Sequence, residues 1–324
     1  MFKPSVRWGA KPRSPKRTKR QGIALPEFRC TGSDDGVLKR RSFLIKVVAM
    51  PTRLLFISRL AATLVALAGS TTPLCAAGHV DAALTAAAAS PARLPAAVAR
   101  DPVRHPVEEL TFFGLAPTQT VIELWPGGGY WTDILGPYLA PHGHYYVALS
   151  APGGAEEDAG VARLRARFTA QPERYGTIVQ TTLGPGHYDI GPPGSADLVL
   201  TFRNLHNWME GGYAPQALVA CFRALKPGGI LGIEEHRGRT DQPQDPKAKS
   251  GYVREDYTIA LAKQAGFELI DSSQMNANPR DTKDWVDGVW TLPPTLSQGD
   301  KDRARYIAVG EADNFVLKFR KPTH

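Results

Sequence analysis

The stretch Val121-Ile-Glu-Leu-Trp-Pro-Gly-Gly-Gly-Tyr-Trp131 combines three patterns that together decide the fold. Residues 121–124 are a short apolar run typical of a buried strand, and the proline and glycines at 126–129 cannot continue it. From Trp131 onward, apolar residues recur at helical spacing on one face. Strand, glycine turn and helix form the first half of a nucleotide-binding βαβ unit, because glycines admit a ligand close to the backbone and the helix N-terminus presents free N–H groups. A purely structural turn is the alternative.

The rest of the chain repeats this alternation of strand and helix. Hydrophobic runs bounded by turn residues predict further strands, and amphipathic runs between them predict helices. The predicted strands are 144–149, 177–183, 196–200, 230–233, 267–270 and 314–319, and the predicted helices are 101–114, 131–139, 156–168, 217–225 and 254–265. Residues 272–312 are expected to be irregular. The pattern predicts one α/β domain with a doubly wound sheet.

The net charge of +8 is concentrated at the N-terminus. Residues 1–49 hold 13 lysines and arginines against 3 acids, whereas residues 78–324 have a balance of −4. The basic character therefore belongs to the leader, and charge gives no reason to expect nucleic-acid binding.

The N-terminal region indicates export. Met50 precedes a short basic start, an apolar stretch at 54–69 and small residues at 75–77, which is the pattern of a signal peptide. Residues 1–49 are either sequence upstream of a true start at Met50 or contain a twin-arginine signal at Arg40-Arg41. We expect a periplasmic or secreted protein with no stable membrane insertion after cleavage; a single membrane anchor is the alternative for residues 50–77.

These boundaries divide the chain into a basic leader (1–49), a signal peptide (50–77), an alanine- and proline-rich linker or loosely docked first helix (78–100) and one α/β domain (101–324). Only Cys221 remains after processing, so no internal disulfide and no cysteine metal site is expected. His142 and His144 have no third ligand nearby in the sequence, which argues against a metal site there.

A dinucleotide enzyme should carry Gly-x-Gly-x-x-Gly in its first turn. From Gly127 the chain instead reads Gly-Gly-Gly-Tyr-Trp-Thr, and Thr132 occupies the place of the third glycine. The sequence therefore counts against an NAD-dependent oxidoreductase.

The order of motifs instead resembles that of the class I S-adenosylmethionine (SAM) methyltransferases, over residues 100–321. The resemblance rests on Glu123-Leu-Trp-Pro-Gly-Gly-Gly129, Ala196-Asp-Leu-Val-Leu200, Arg223-Ala-Leu-Lys-Pro-Gly-Gly-Ile-Leu231 and Ala265-Gly-Phe-Glu-Leu-Ile270. Within that superfamily the chain is similar to an uncharacterised group of predicted bacterial methyltransferases, often exported. The resemblance to these methyltransferases implies a Rossmann-like doubly wound sheet of seven strands whose last strand is antiparallel.

The resemblance also implies a set of cofactor-binding residues. Glu123 would lie beneath the turn, with the glycines passing close to the methionine part of SAM. The positions that would bind cofactor are Glu123, Gly127, Gly128, Gly129, Tyr130, Ser150, Asn204 and Leu205. Two departures stand out: Trp125 replaces the first glycine of the motif, and Ser150 ends the second strand where an acid normally holds the ribose.

The substrate side is predicted from two polar segments that follow neighbouring strands. Phe202-Arg-Asn-Leu-His-Asn-Trp208 follows the fourth strand and Glu234-Glu-His236 follows the fifth, so both face the same sheet edge. His206 and His236 are the candidate general bases, because imidazole exchanges protons near neutral pH; capping of strand ends is the alternative. Trp208 is predicted to wall a substrate pocket together with Tyr130, and Arg104 to lie over it as a lid residue or to form a surface ion pair.

The sequence thus predicts an exported, SAM-dependent methyltransferase of a small molecule that needs no metal. The rival hypothesis is a non-catalytic binding protein that retains the fold, favoured by Trp125 and Ser150. Whether the two histidines share a cavity with the glycine turn discriminates between them.

Overall fold

The structure is a computed structural model that describes residues 81–151 and 155–323, with the side chains of 155–159 outside that description. The predicted leader and signal peptide (1–49 and 50–77) lie outside the described residues. Within the described part, no helix is both long enough and apolar enough to span a bilayer.

A seven-stranded sheet organises the domain, in the order β3-β2-β1-β4-β5-β7-β6. Strands β1 to β5 pair in parallel, whereas β7 is antiparallel to both β5 and β6. The predicted doubly wound Rossmann-like α/β fold with an antiparallel last strand is therefore confirmed. The strands are β1 (Thr120–Leu124), β2 (His144–Ser150), β3 (Ile178–Leu183), β4 (Ala196–Phe202), β5 (Leu225–His236), β6 (Glu268–Ser273) and β7 (Asn314–Arg320).

Helices cover both faces of this sheet. They are α1 (Ala82–Ala88), α2 (Pro95–Val98), α3 (Asp101–Arg104), α4 (Pro106–Phe113), α5 (Thr132–Leu139), α6 (Ala155–Ala170), α7 (Pro172–Tyr175), α8 (Leu205–Gly211), α9 (Ala214–Ala224), α10 (Glu255–Gln264) and α11 (Arg303–Val309). A 3₁₀ turn covers Gly288–Thr291. The two layers explain the continuous apolar strands, because successive residues point to opposite faces and both faces are buried. Val121 and Ile122 are both fully buried, in different core clusters.

The strand order reverses between β1 and β4, which places a crevice at their carboxyl ends. Because β2, β1, β4 and β5 run parallel, the residues that end them, Ser150, Leu124, Phe202 and His236, lie along one edge. The glycine turn, α8 and the loop after β5 therefore converge on this edge.

Two local predictions differ from the structure, and a third is decided between its two alternatives. The single helix expected over 101–114 is two helices, because His105 takes a left-handed backbone (φ 42°) between α3 and α4. Part of the segment expected to be irregular forms α11 and the 3₁₀ turn. Of the two interpretations of residues 78–100, a docked helix agrees with the described part, since Leu84 of α1 is buried in the core.

Candidate functional site

Three adjoining cavities of about 300 Å³ lie along the carboxyl edge of the sheet. The glycine-turn cavity (about 310 Å³) lies over Glu123, Gly127 and Gly128; the β2 cavity (about 300 Å³) is lined by Leu149 and Ser150; the histidine cavity (about 300 Å³) is lined by His206 and His236. The first two share Trp125, Pro126, Gly127 and Asn204, and the first and third share Arg100, Arg104, Phe202 and Arg203. The three cavities therefore adjoin one another along this edge.

The glycines of the turn have different roles. Gly127 (φ 55°) is exposed and lines both the glycine-turn and the β2 cavity, and a Cβ there would meet no described atom within 4 Å. Gly129 (φ 82°) is buried and lines none of the three cavities; its Cβ would lie 2.8 Å from Arg167 Nη2 and 3.1 Å from Leu164 Cδ1. Gly127 and Gly128 therefore line the glycine-turn cavity, whereas Gly129 lines none of the three cavities and makes its close approach to α6.

Glu123 lies fully buried beneath the turn. Its Oε2 accepts hydrogen bonds from Thr132 Oγ1 at 2.7 Å and from the hydroxyl of Tyr145. Its Oε1 has no hydrogen-bond partner among the described residues. Burial raises the pKa of Glu123 to about 7, and the two hydroxyl donors only partly oppose that rise. An unpartnered carboxylate oxygen beneath a cavity is suited to a cationic ligand group.

Trp125 occupies the left-handed backbone (φ 49°) that glycine normally supplies. Its indole Nε1 donates to Leu183 O at 2.9 Å, and its ring lies edge-on to Trp208 at 6.4 Å. Asn204 fixes the start of the turn by donating from Nδ2 to Leu124 O at 2.9 Å. The tryptophan is therefore a wall between the glycine-turn and β2 cavities, both of which remain open beside it.

The β2 cavity is mainly apolar. Leu149, Val161 and Leu164 line it, with Ser150 at the strand end. No acidic side chain lines it among the described residues, so the polar contact that β2 offers a ligand there is the serine hydroxyl. A flat apolar ring with a few polar atoms matches this lining.

The N-terminal segment is locked onto the glycine turn through Tyr130. The tyrosine hydroxyl donates to Asp101 Oδ1 at 2.6 Å, and Asp101 also accepts two bonds, of 2.6 and 2.8 Å, from the buried guanidinium of Arg93. Arg93 and Arg104 lie over the Tyr130 ring at 5.1 and 4.6 Å from its centroid. Residues of α2 and the loop before it then close one side of the glycine-turn cavity.

Arginines concentrate where the glycine-turn and histidine cavities meet. Arg100 bonds both oxygens of Glu311 at 2.5 and 2.7 Å, and Arg104 bonds Oε2 of the same carboxylate at 3.2 Å. Burial, reinforced by Arg203, lowers the pKa of Arg104 to about 9. Two guanidiniums sharing one carboxylate leave positive charge for an anionic ligand group. Arg104 is thus a buried cavity residue with an ion pair, rather than a surface pair.

The two histidines lie side by side in the histidine cavity, with ring centroids 5.4 Å apart. His206 Nδ1 lies 2.9 Å from Glu235 Oε1, and His236 Nδ1 lies 2.7 Å from Asn314 Oδ1. Burial opposes the ionisation of Glu235, but both histidines and a backbone N–H outweigh it and lower its pKa. Burial lowers the pKa of His236 to about 3.

A buried acid pair supports the floor of this region. Asn276 Nδ2 donates to Glu109 Oε2 at 2.5 Å and to Glu234 Oε1 at 3.2 Å. Burial and the neighbouring Glu234 raise the pKa of Glu109 well above its ordinary value. Arg203 Nη1 lies 3.5 Å from Glu234 Oε1 and forms an ion pair with that carboxylate.

Most of the predicted site residues line these cavities, whereas Gly129, Leu205 and Trp208 do not. Trp208 is fully buried and lines none of the three cavities, because α8 turns its ring into the core beside Trp125. Leu205 is 1% exposed and likewise lies in the core. The structure adds Arg100, Arg203 and Glu235, which the sequence reasoning missed. Arg203 and Glu235 lie inside the two polar segments that follow β4 and β5, so their positions at the strand ends could have identified them as site residues.

No family model and no curated protein matches the chain. Solved structures do resemble it. A SAM-dependent methyltransferase from Aquifex aeolicus shares 15% identity over 69% of this chain and 93% of its own, with a TM-score of 0.45. Haemonchus contortus phosphoethanolamine N-methyltransferase 2 in complex with SAM shares 16% identity over 68% of this chain and 52% of its own, with a TM-score of 0.45. The [4+2]-cyclase SpnF shares 17% identity over 68% of this chain and 81% of its own, with a TM-score of 0.44.

Proposed function

We propose that this protein is an exported SAM-dependent methyltransferase acting on a small molecule. The observation that carries the proposal is the row of three adjoining cavities at the carboxyl edge of the sheet. A two-part cofactor fits the β2 and glycine-turn cavities, and an acceptor in the histidine cavity reaches the glycine-turn cavity between Arg100, Arg104, Phe202 and Arg203.

The charges of the glycine-turn cavity match the methionine part of SAM. Its carboxylate suits Arg100 and Arg104, which share one counter-ion, and its ammonium group suits the unpartnered Oε1 of Glu123. The adenine suits the apolar β2 cavity, where Ser150 offers the ribose a hydroxyl. When bound, SAM supplies an electrophilic methyl group on a sulfonium.

The histidine cavity supplies the groups that would activate the acceptor. Glu235 holds the His206 ring by its Nδ1, which leaves Nε2 to accept a proton from the nucleophile. A carboxylate that orients an imidazole base is the arrangement that general-base catalysis requires. His236 extends the same surface.

The proposal is tested by calorimetric titration of the full-length protein with SAM and with S-adenosylhomocysteine. We expect both to bind with micromolar affinity, since the product keeps the adenosine, ammonium and carboxylate groups. Arg104→Ala should weaken both ligands, whereas Arg239→Ala, at an exposed pair with Asp241 remote from the cavities, serves as the control. Absence of binding at millimolar concentration of either ligand would overturn the proposal and favour a non-catalytic protein on this fold.

A further inference from the structure

The two histidines present an arrangement that general-base catalysis by one ring leaves unexplained. Glu235 accepts from two backbone N–H groups, of His206 at 3.1 Å and of His236 at 2.8 Å, as well as facing His206 Nδ1. A carboxylate with this many donors is an ionised acceptor, so His206 Nδ1 must carry the proton. The lone pair of His206 is therefore on Nε2.

The same conclusion holds for His236 through a different partner. Asn314 Nδ2 donates to Glu234 Oε1 at 3.1 Å, which fixes Asn314 Oδ1 as the atom facing His236 Nδ1 at 2.7 Å. An amide oxygen can only accept, so His236 Nδ1 is protonated and its lone pair also lies on Nε2. Among the described residues, no side chain donates to either Nε2 atom.

From this geometry we propose that His206 and His236 bind a divalent transition-metal ion such as Zn²⁺ through their Nε2 atoms, with Glu235 and Asn314 orienting the rings. His206, Glu235 and His236 each offer one potential ligand atom, and these three atoms lie within 4.8 Å of one another, so the two imidazoles are close enough to share an ion. A tetrahedral ion about 2.0–2.1 Å from each Nε2 places the ring centroids about 5 Å apart. The observed centroid separation is 5.4 Å.

The outer contacts have the form that metal-binding histidines require. Each ring gives its other N–H to an oxygen acceptor, which fixes the tautomer and raises the basicity of the ligating nitrogen. Imidazole ligands suit Zn²⁺, Cu²⁺ and Ni²⁺ rather than Mg²⁺ or Ca²⁺. The carboxylate of Glu235 pairs with His206 and that of Glu234 with Arg203, so negative charge lies beside the two imidazoles.

Two protein ligands leave coordination positions that open into the histidine cavity. There the ion would bind a hydroxyl or thiol of the acceptor and lower its pKa, so that the proton would pass to solvent water instead of to His206 Nε2. Metal binding itself uses only residues of this cavity, so it does not depend on the proposed methyl transfer.

The test titrates Zn²⁺ alone, without SAM, into the metal-stripped full-length protein by calorimetry. We expect one site per chain that is lost in His206→Ala and in His236→Ala and retained in His187→Ala, where the exposed histidine is the matched control. Glu235→Gln should weaken Zn²⁺ binding about 10- to 100-fold, because it removes an orienting carboxylate and leaves both ligands in place.

Circular dichroism of each variant separates loss of the site from loss of the fold. Absence of the site in wild-type protein, or a site that survives in the folded His206→Ala/His236→Ala double variant, would overturn the inference. A separate SAM titration of the double variant keeps the two proposals distinct, because SAM is expected to bind there unchanged.

Discussion

The buried carboxyl group of Glu123 has a raised pKa and an unpartnered oxygen, and it lies beneath the glycine-turn cavity. Its carboxyl is neutral below a pKa of about 7 and ionised above it, because burial disfavours the charge. A cationic ligand group binds the ionised form better. We therefore expect SAM affinity to rise about tenfold as the pH increases through 7, the change that corresponds to a one-unit shift of the pKa on binding.

Glu123→Gln should flatten this pH profile, which calorimetry at several pH values measures; an equally steep profile in the variant would contradict the assignment. Stability gives a second readout with the opposite sign. Because the pKa of the folded state is raised, the contribution of Glu123 to stability is complete at low pH and is lost as the pH rises through about 7.

Gly127 and Gly129 form a matched pair of neighbouring positions with left-handed backbones. Gly127→Val should abolish measurable SAM binding. Because a Cβ at this position meets no described protein atom, the new side chain would project into the space that the cofactor needs. Its backbone strain should cost about 1–2 kcal/mol of stability. Gly129→Ala should chiefly lower stability by crowding Arg167, with SAM affinity changed less. Titration and urea unfolding separate the two, and the reverse ranking in affinity would contradict the assignment of roles.

At the scale of elements, the short helices before β1 act as one wall of the site. Arg93 is buried, bonds Ala88 O at 2.5 Å and pairs with Asp101, which in turn holds Tyr130. Without these contacts, α2 and α3 would lose their connection to the glycine turn.

Arg93→Ala should therefore destabilise the protein by about 1–3 kcal/mol, since it removes a buried guanidinium and its charged hydrogen bonds to the partly exposed Asp101. SAM affinity should fall as well, because Tyr130 is released. Urea unfolding measures the first effect and calorimetry the second. Arg320→Ala, at the half-exposed pair with Glu268, is the control and should leave both unchanged. If Arg93→Ala left stability and SAM affinity unchanged, the helices before β1 would not form a wall of the site.

For the molecule as a whole, Cys221 reports on opening of the core. It is fully buried on α9, and burial raises the pKa of its thiol to about 12. In a Cys30→Ser/Cys75→Ser background, we expect a thiol reagent to label Cys221 only through unfolding. Saturating SAM should slow this labelling, about 100-fold at 100 times its Kd when labelling follows the unfolded population. Rapid labelling in native conditions would contradict the burial of α9.

The sequence predicts the elements of the fold better than it predicts the roles of the residues in the site. The strands around Val121–Leu124 were predictable because apolar runs and turn residues fix local periodicity and the place of each element. The break at His105 was missed because the apolar periodicity gives no sign of it, although Pro106 does: the residue before a proline avoids the helical region, and proline suits the first position of a helix. Gly127 and Gly129 were equally predictable as turn residues, yet only packing against α6 distinguishes their roles.

The sequence by itself determined the alternation of strands and helices, the glycine turn at the end of β1 and the edge at which polar residues gather. These follow from spacing along the chain, which a hydrophobic core enforces locally. Only the tertiary structure decided that Arg104 meets Glu311, or that His206 and His236 lie 5.4 Å apart with Glu235 holding one of them. Such contacts join residues distant in sequence, so their geometry depends on how the finished sheet brings its strand ends together.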